Sequence, residues 1–146
     1  MAQTHREVCE TWFRRVWREQ DELAIDEMLM PSTKARGLDD RVRPPRVGPD
    51  DFKQFHRAML ALIDDVQVDI EHLISEGSRT SALCRMVAKD RKTGKSVEMY
   101  GQVFLEIADD KIVDAHNNFD FLSLFEQLGL LQSGTFSKCL AGEKVA

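Results

Sequence analysis

The sequence predicts an α+β fold in which amino-terminal helices pack on the concave face of a curved antiparallel sheet. The chain opens with apolar residues at helical spacing, continues with long segments of alternating apolar and polar residues, and closes with a short apolar helix. Such helices and such a sheet form a cone-shaped α+β barrel. The wide mouth of a cone is a natural cavity, because helix and sheet diverge there faster than side chains can fill the gap.

Two helices are predicted at the start of the chain. Apolar residues recur at helical spacing from Thr4 to about Gln20, and Asp21 is a suitable cap for a second, short helix that ends before Pro31. The segment 35–48 has Gly, Pro and alternating charges but few apolar residues. It is therefore predicted to be a mobile surface connection that could serve as a lid.

A third helix is expected to start at Gly48-Pro49-Asp50-Asp51, because proline is tolerated in the first turn and carboxylates there complement the helix dipole. After residues 64–65 the apolar period changes to two, which predicts strands joined by tight turns. The predicted strands are 66–74, 80–89, 97–107 and 111–119.

The closing helix is predicted from Phe121 to Leu128, with Gly129 as its carboxyl-terminal cap. Residues 1–131 then form a single α+β domain, large enough for a core and a modest cavity. Residues 132–146 are small and polar, so we expect a loosely ordered tail there.

Composition argues against a nucleic-acid partner. The net charge is −5, and the local basic cluster is interrupted by aspartates and has no alternating aromatic residues for base stacking. A solvated loop is the expected role of this cluster. Its members are Arg36, Arg41, Arg43 and Arg46.

Membrane, disulfide and metal-site signals are also missing from the sequence. No run approaches the roughly 18 apolar residues of a membrane span, and the amino terminus lacks the apolar core of a secretory signal, so a cytoplasmic protein is expected. The three cysteines lie far apart without a CxxC pattern, which indicates reduced thiols. The four histidines show no metal-ligand spacing, so we expect no bound metal.

Polar residues at strand spacing mark a candidate site near the end of the predicted sheet. His116, Asn118 and Asp120 alternate along one side of the last strand, where they could form the polar edge of a pocket wall. Alternatively, His116 lies on a solvated sheet or at a subunit interface. Asp120 alone could be the amino-terminal cap of the following helix.

Strand register decides which residues join this group. A two-residue turn at 109–110 would pair Val103 with His116. A β-bulge would shift the register by one residue and bring Gln102 or Tyr100 alongside instead. The sequence leaves both alternatives open.

Three further residues are candidates for contact with a ligand. Trp17 is expected to line the cavity. Arg85 either binds a ligand carboxylate or carbonyl, or pairs with Glu71 or Glu98 across strands. Tyr100 could donate a hydrogen bond to a developing oxyanion, or it could be a core tyrosine that reaches water.

The last hairpin also carries a family resemblance. It reads Ile107-Ala108-Asp109-Asp110-Lys111-Ile112-Val113-Asp114, and Asp120 and the run Leu124-Phe125-Glu126-Gln127-Leu128-Gly129 follow. This order resembles the SnoaL-like polyketide cyclases, also called ester cyclases, of the nuclear transport factor 2-like superfamily. Their pattern is a D-G-K-I-x-E hairpin, an Asp, and a helix that ends Q-L-G.

The resemblance implies a cofactor-independent acid/base enzyme of the cyclase or isomerase type, acting on a small hydrophobic carbonyl compound. It implies that Asp120 is the general acid/base. In such an enzyme, His116 or Tyr100 could stabilise the oxyanion. Three positions depart from the family pattern. The strand histidine of the family is matched by Glu106, its last-strand tryptophan by His116, and its hairpin glycine by Asp110.

The alternative is a non-catalytic small-molecule-binding or dimerisation module of the same fold. A filled or shallow cone, with Asp120 bonded only to backbone amides, would favour this alternative. A homodimer is expected in either case, because the outer sheet face is predicted to carry Leu73, Leu83 and Val87, which a monomer would expose.

Overall fold

A mixed sheet of six strands curves around helices in this computed structural model, which describes residues 2–40 and 43–145. The helical elements are α1 (His5–Trp12), a π-helical segment (Phe13–Arg18), α2 (Glu22–Met28), α3 (Gly48–Leu62), α4 (Phe121–Gln127) and α5 (Thr135–Leu140). The strands are β1 (Leu29–Arg36), β2 (Arg46–Val47), β3 (Ile63–Glu76), β4 (Arg79–Asp90), β5 (Ser96–Ala108) and β6 (Lys111–Phe119). The predicted α+β cone is confirmed, and none of the described helices is long and apolar enough to cross a membrane.

Thr4 caps the first helix with a capping box, in which its side chain accepts a hydrogen bond from the Glu7 amide and its own amide donates one to the Glu7 carboxylate. The helix then widens into the π-helical segment instead of continuing as one α-helix. At this segment the Val16 carbonyl accepts a hydrogen bond from His56 Nε2 at 2.7 Å. The contact ties the π-helical segment to α3.

The strand order is β2-β1-β6-β5-β4-β3, so β3 to β6 form the predicted antiparallel meander. The sheet is antiparallel as predicted except that β1, which was not predicted as a strand, pairs with β6 in parallel. Pro31, before which the second helix was expected to end, lies inside β1. The strand tolerates this proline because the register to β6 is interrupted between Leu29 and Lys34, where no ladder hydrogen bond is lost.

The predicted connection 35–48 is also more structured than expected at both ends, which belong to β1 and β2. Arg46 fixes it with hydrogen bonds of 2.7 and 3.0 Å to the Asp39 carboxylate and of 2.9 Å to the Asp51 carbonyl. Arg36 pairs with Asp114 at 2.6 Å. These arginines of the basic cluster are therefore held by carboxylates, whereas Arg41 lies outside the described residues.

A β-bulge in β6 sets the register of the last hairpin. Ile107 pairs with Ile112, but Glu106 pairs with Asp114, so Val113 is the extra residue. The bulged alternative is thus confirmed and the pairing of Val103 with His116 is wrong. The Asp120 amide donates to the Tyr100 carbonyl at 3.1 Å, which brings Tyr100 alongside as that alternative expected.

A second irregularity lies in β3 between Ile70 and His72. Beyond it the alternation is inverted, so Leu73 packs against the main core while Ile74 is 75% exposed. The expectation that Leu73 lies on the outer face is therefore wrong. The segment 132–146, expected to be loosely ordered, contains α5, whose Phe136 amide donates to Glu126 Oε1 at 2.9 Å.

Candidate functional site

An apolar cavity lies between the inner face of the sheet and the helices, with an open volume of about 80 Å³. Aromatic rings dominate its wall: Trp12, Phe13, Trp17, Phe52, Phe55, Phe119 and Phe121. Aliphatic side chains form most of the rest, together with the flexible thioethers of three methionines: Met59, Met86 and Met99. Pockets for drug-sized ligands usually hold roughly 300–1,000 Å³. This cavity is much smaller, so it can admit only a very small molecule unless the flexible methionine side chains move aside.

The helical side of the wall is a cluster of rings centred on Phe52, which lies 5.2 Å from Trp12 and 6.4 Å from Trp17 between ring centroids. Phe55, one turn further along α3, contacts Phe121 of α4 at 6.1 Å. This spacing of three residues puts both phenylalanines on the face of α3 that looks into the cone. Ring contacts therefore link α1 and the π-helical segment to α3, and α3 to α4.

The sheet side of the wall depends on Gly101 of β5. A Cβ atom at this position would lie 2.0 Å from Cδ1 of Phe119, so the Phe119 ring occupies the space that a side chain would take. Gly101 and Phe119 are direct partners in the β5–β6 ladder. The missing side chain thus lets an aromatic ring cover the inner surface of the sheet.

His56 is fully buried behind this wall and stacks edge-on against Trp17 at 4.9 Å. Its Nε2 donates to the Val16 carbonyl, which leaves Nδ1 as a lone-pair acceptor without a protein partner in the described chain. Burial lowers the pKa of His56, because the charged imidazolium is poorly solvated there. The imidazole is therefore held neutral beside the cavity.

Few polar atoms reach the cavity surface. The Thr33 hydroxyl is already satisfied, since it accepts from the Met30 amide at 2.9 Å and donates to the Ile112 carbonyl at 2.7 Å. Burial raises the pKa of the Cys9 thiol to about 11, so it stays protonated near neutral pH. Asn117 donates from Nδ2 to the Arg36 carbonyl at 2.8 Å. The described lining residues include no Asp, Glu, His, Lys or Arg.

Trp17 lines the cavity as predicted, but Asp120 does not. The Asp120 side chain is exposed and accepts a hydrogen bond from the Ser123 amide at 3.1 Å, which makes it the amino-terminal cap of α4. Its neighbours Phe119 and Phe121 both line the cavity, so the Asp120 backbone passes the mouth while its carboxylate faces water.

His116 and Asn118 share a side of β6 with Asp120, as the alternation predicted, but that side is the outer face of the sheet. The His116 side chain is 49% exposed, with Nε2 lying 3.7 Å from an Asp114 carboxylate oxygen and 3.3 Å from Arg36 Nη1. The expectation that His116 and Asp120 converge on the cavity is wrong. The Val113 bulge is the reason, because it turns Ala115, Asn117 and Phe119 inward instead.

The remaining candidates also lie outside the cavity wall. Arg85 forms two hydrogen bonds with Glu98, at 2.9 and 3.1 Å, which is the structural pair that the sequence left open. Tyr100 is 47% exposed. Glu106 accepts a hydrogen bond from the Ser78 hydroxyl at 3.3 Å, beside the turn between β3 and β4.

Asn117 is the residue that sequence reasoning missed. Alternation alone assigned the inward side to its neighbours, and only the bulge reverses that assignment. The sequence does contain one signal for it. Phe119 is apolar and two residues away, so a strand that turns Phe119 towards the core also turns Asn117 inward. The described residues contain no group of three His, Cys, Asp or Glu side chains that could hold a metal ion.

Comparison with known proteins agrees with this architecture. Residues 7–128 match the family described as SnoaL-like polyketide cyclase. No curated protein sequence matches the chain.

Solved structures of similar fold come from several bacteria. A proposed polyketide cyclase from Acidithiobacillus ferrooxidans is 20% identical with a TM-score of 0.73, over 85% of this chain and 93% of that one. TsrD from Streptomyces laurentii is 17% identical with a TM-score of 0.71, over 86% and 95% of the two chains. AclR from Streptomyces galilaeus, described as a proposed hydroxylase, is 18% identical with a TM-score of 0.73, over 94% and 88%. At these identities the likeness shows a shared fold alone.

Proposed function

Because the chain belongs to the SnoaL-like polyketide cyclase family, we propose that its cone binds one small, neutral, hydrophobic ligand in the apolar cavity. The observation that carries this proposal is the composition of the wall, whose described residues are aromatic, aliphatic or thioether with few polar atoms. A charged ligand would lose its hydration without gaining a counter-charge, which is strongly unfavourable.

The size of the cavity restricts the ligand further. An apolar cavity of roughly 150 Å³ is known to stay dry and bind benzene. The present cavity of about 80 Å³ is smaller, so a single aromatic ring would enter by displacing methionine side chains at its edge. Ring-lined walls favour a planar ligand, because offset and edge-to-face contacts stabilise aromatic pairs.

The proposal predicts that toluene binds and that benzoate, which has a similar shape but carries a charge, does not. The chain has two tryptophans, and both line the cavity, so their fluorescence reports directly on occupancy. Toluene should change this fluorescence in a saturable manner with a stoichiometry of one per chain. Equal responses to toluene and benzoate, or no response to either, would contradict the proposal.

A second candidate is the acid/base enzyme that the resemblance implies, with Asp120 as the acid/base. The position of the Asp120 backbone between the lining residues Phe119 and Phe121 favours this candidate. The role requires the carboxylate to leave the Ser123 amide and turn inward, since it now faces water. No described Asp, Glu, His, Lys or Arg side chain lines the cavity in its place.

The substitution Asp120→Asn separates the two candidates, because asparagine is an equally good helix cap. Both candidates predict that Asp120→Asn retains toluene binding. The acid/base enzyme further predicts that the native protein exchanges the methyl protons of acetophenone for solvent deuterium and that Asp120→Asn loses this exchange, because an amide cannot take up the proton. Simple binding predicts no catalysed exchange in either protein, and proton NMR measures it.

We also propose that the protein is a homodimer formed through the outer face of the sheet. Tyr100 and Phe104 of β5 lie four residues apart on this face, on either side of Gln102, and are 47% and 46% exposed. Light scattering should give twice the mass of the chain, and Phe104→Asp should give the single mass. Leu130→Asp, at an apolar position that is 58% exposed but outside the sheet, is the matched control and should stay dimeric. A monomeric native protein would refute the dimer.

A further inference from the structure

We infer that the ligand carries a hydroxyl group and that Asn117 determines this specificity by accepting its hydrogen bond at Oδ1. This inference rests on the proposed binding function, which it extends from a hydrophobic ligand to a neutral hydroxyl compound. Three features of the structure support it: the direction of the Asn117 side chain, the way its amide is fixed, and the lack of another amide or carboxylate oxygen among the described side chains of the wall.

The direction of Asn117 follows from the Val113 bulge. Beyond the bulge the inward positions are Ala115, Asn117 and Phe119, and all three line the cavity. The neighbouring Asn118 is exposed on the opposite face, beside Gln102 of β5. Two consecutive asparagines therefore have opposite environments, and one of them lies among aromatic side chains.

The Asn117 amide is fixed by the end of β1. The Arg36 carbonyl can only accept a hydrogen bond, so the nitrogen of the amide must face it, and the observed distance is 2.8 Å. Oδ1 consequently points away from this contact. It accepts no hydrogen bond from the described residues, and it is not one of their fully buried unpartnered atoms, so it keeps some exposed surface on a residue that lines the cavity.

Gly37 makes this arrangement possible. A Cβ atom there would lie 1.7 Å from the backbone oxygen of Asn117, so the chain can pass this close only without a side chain. The close approach places the preceding Arg36 carbonyl within reach of the amide. An acceptor held in one orientation before binding loses little conformational entropy when a ligand arrives.

The other polar atoms of the wall complement this acceptor instead of competing with it. Thr33 donates its single hydroxyl hydrogen to the Ile112 carbonyl and accepts from the Met30 amide, so it has no donor left and its oxygen is already engaged twice. The thiol of Cys9 and the indole N–H groups of Trp12 and Trp17 are donors. A hydroxyl both donates and accepts, whereas an ether or a methyl group in the same place would leave the desolvated Asn117 oxygen unpaired.

Calorimetric titration with three ligands of similar shape tests the inference. Phenol has a donor, anisole has only an acceptor, and toluene has neither. A hydrogen bond between neutral groups should raise the affinity of the ligand that makes it by about 2- to 12-fold over a ligand that cannot. The ratio of phenol affinity to toluene affinity should therefore fall by about this factor in Asn117→Leu, whereas the ratio of anisole to toluene should not fall.

Asn118→Leu is the matched control, because it makes the same change one residue away on the outer face. It should keep the native ratio. Asn117→Gln, which retains both an amide N–H for the Arg36 carbonyl and an acceptor oxygen, is a second variant and should keep a preference for phenol over anisole. Retained toluene binding shows that each variant is folded.

The inference is overturned if Asn117→Leu keeps the native ratio of phenol to toluene, or if Asn118→Leu loses it as well. It is also overturned if Asn117→Gln prefers anisole to phenol. If the native protein binds toluene and phenol equally, Asn117 does not determine specificity although the cavity still binds ligands. If it binds neither, the proposed function itself fails.

Discussion

Gly37→Ala should reduce the free energy of unfolding by about 2–5 kcal/mol, because it combines an unfavourable backbone angle with a steric clash. The φ angle of Gly37 is 81°, a region that alanine adopts only with strain. The added Cβ would lie 1.7 Å from the Asn117 carbonyl oxygen, which forces the end of β1 away from β6. Urea denaturation measures the loss.

Gly134→Ala separates the two causes, because Gly134 has the same φ of 81° but no atom within 4 Å of an added Cβ. This control should lose only about 1 kcal/mol, the cost of the backbone angle. Equal losses in the two variants would show that the close approach of Gly37 to Asn117 does not exist. The loss of stability in Gly37→Ala would then give no support to the claim that the Asn117 amide is held in place by this close approach.

Ala115→Leu should abolish toluene binding while leaving the free energy of unfolding unchanged or raising it by about 0.5–2 kcal/mol. Ala115 is 7% exposed and lines the cavity, so three additional carbon atoms would enter the open volume of about 80 Å³. Filling an existing cavity adds contacts without displacing packed atoms. Isothermal titration and urea denaturation measure the two effects.

Ala88→Leu is the matched control for this change. Ala88 is a buried alanine of β4, 1% exposed, that does not line the cavity. Its neighbourhood is already packed, so leucine should cost about 1–3 kcal/mol through overpacking. If Ala115→Leu destabilises the protein as much as Ala88→Leu does, the space beside Ala115 is not available to a ligand.

Much of the fold was predictable because the meander has a regular period in the sequence. Ala82, Cys84, Met86 and Ala88 alternate along β4, and all four are buried as the period of two requires. Trp17 was predictable for a similar reason, since helical spacing places it beside the residues of the inner face. Local periodicity is thus sufficient where nothing interrupts it.

The remaining features depend on interruptions and on long-range pairing, which leave little local signal. Val113 adds one residue to β6 without changing its composition, yet it moves Asn117 inward and His116 outward. The parallel pairing of β1 with β6 joins residues about 80 positions apart, such as Ala35 with Ala115. β1 was not predicted because a proline normally argues against a strand. The strand tolerates Pro31 because the missing N–H falls in its unpaired part.

The most direct test of the central claim, that the cone interior is the ligand site, is a titration with toluene followed by NMR of ¹³C-labelled methionine methyl groups. Met59, Met86 and Met99 line the cavity, whereas Met28 is buried elsewhere and Met30 is 36% exposed. The ring current of a bound aromatic ligand should shift the three lining methyl resonances in a saturable manner and leave Met28 and Met30 unchanged. Saturable shifts at Met30 alone, or no shift at the three lining methionines, would contradict the account.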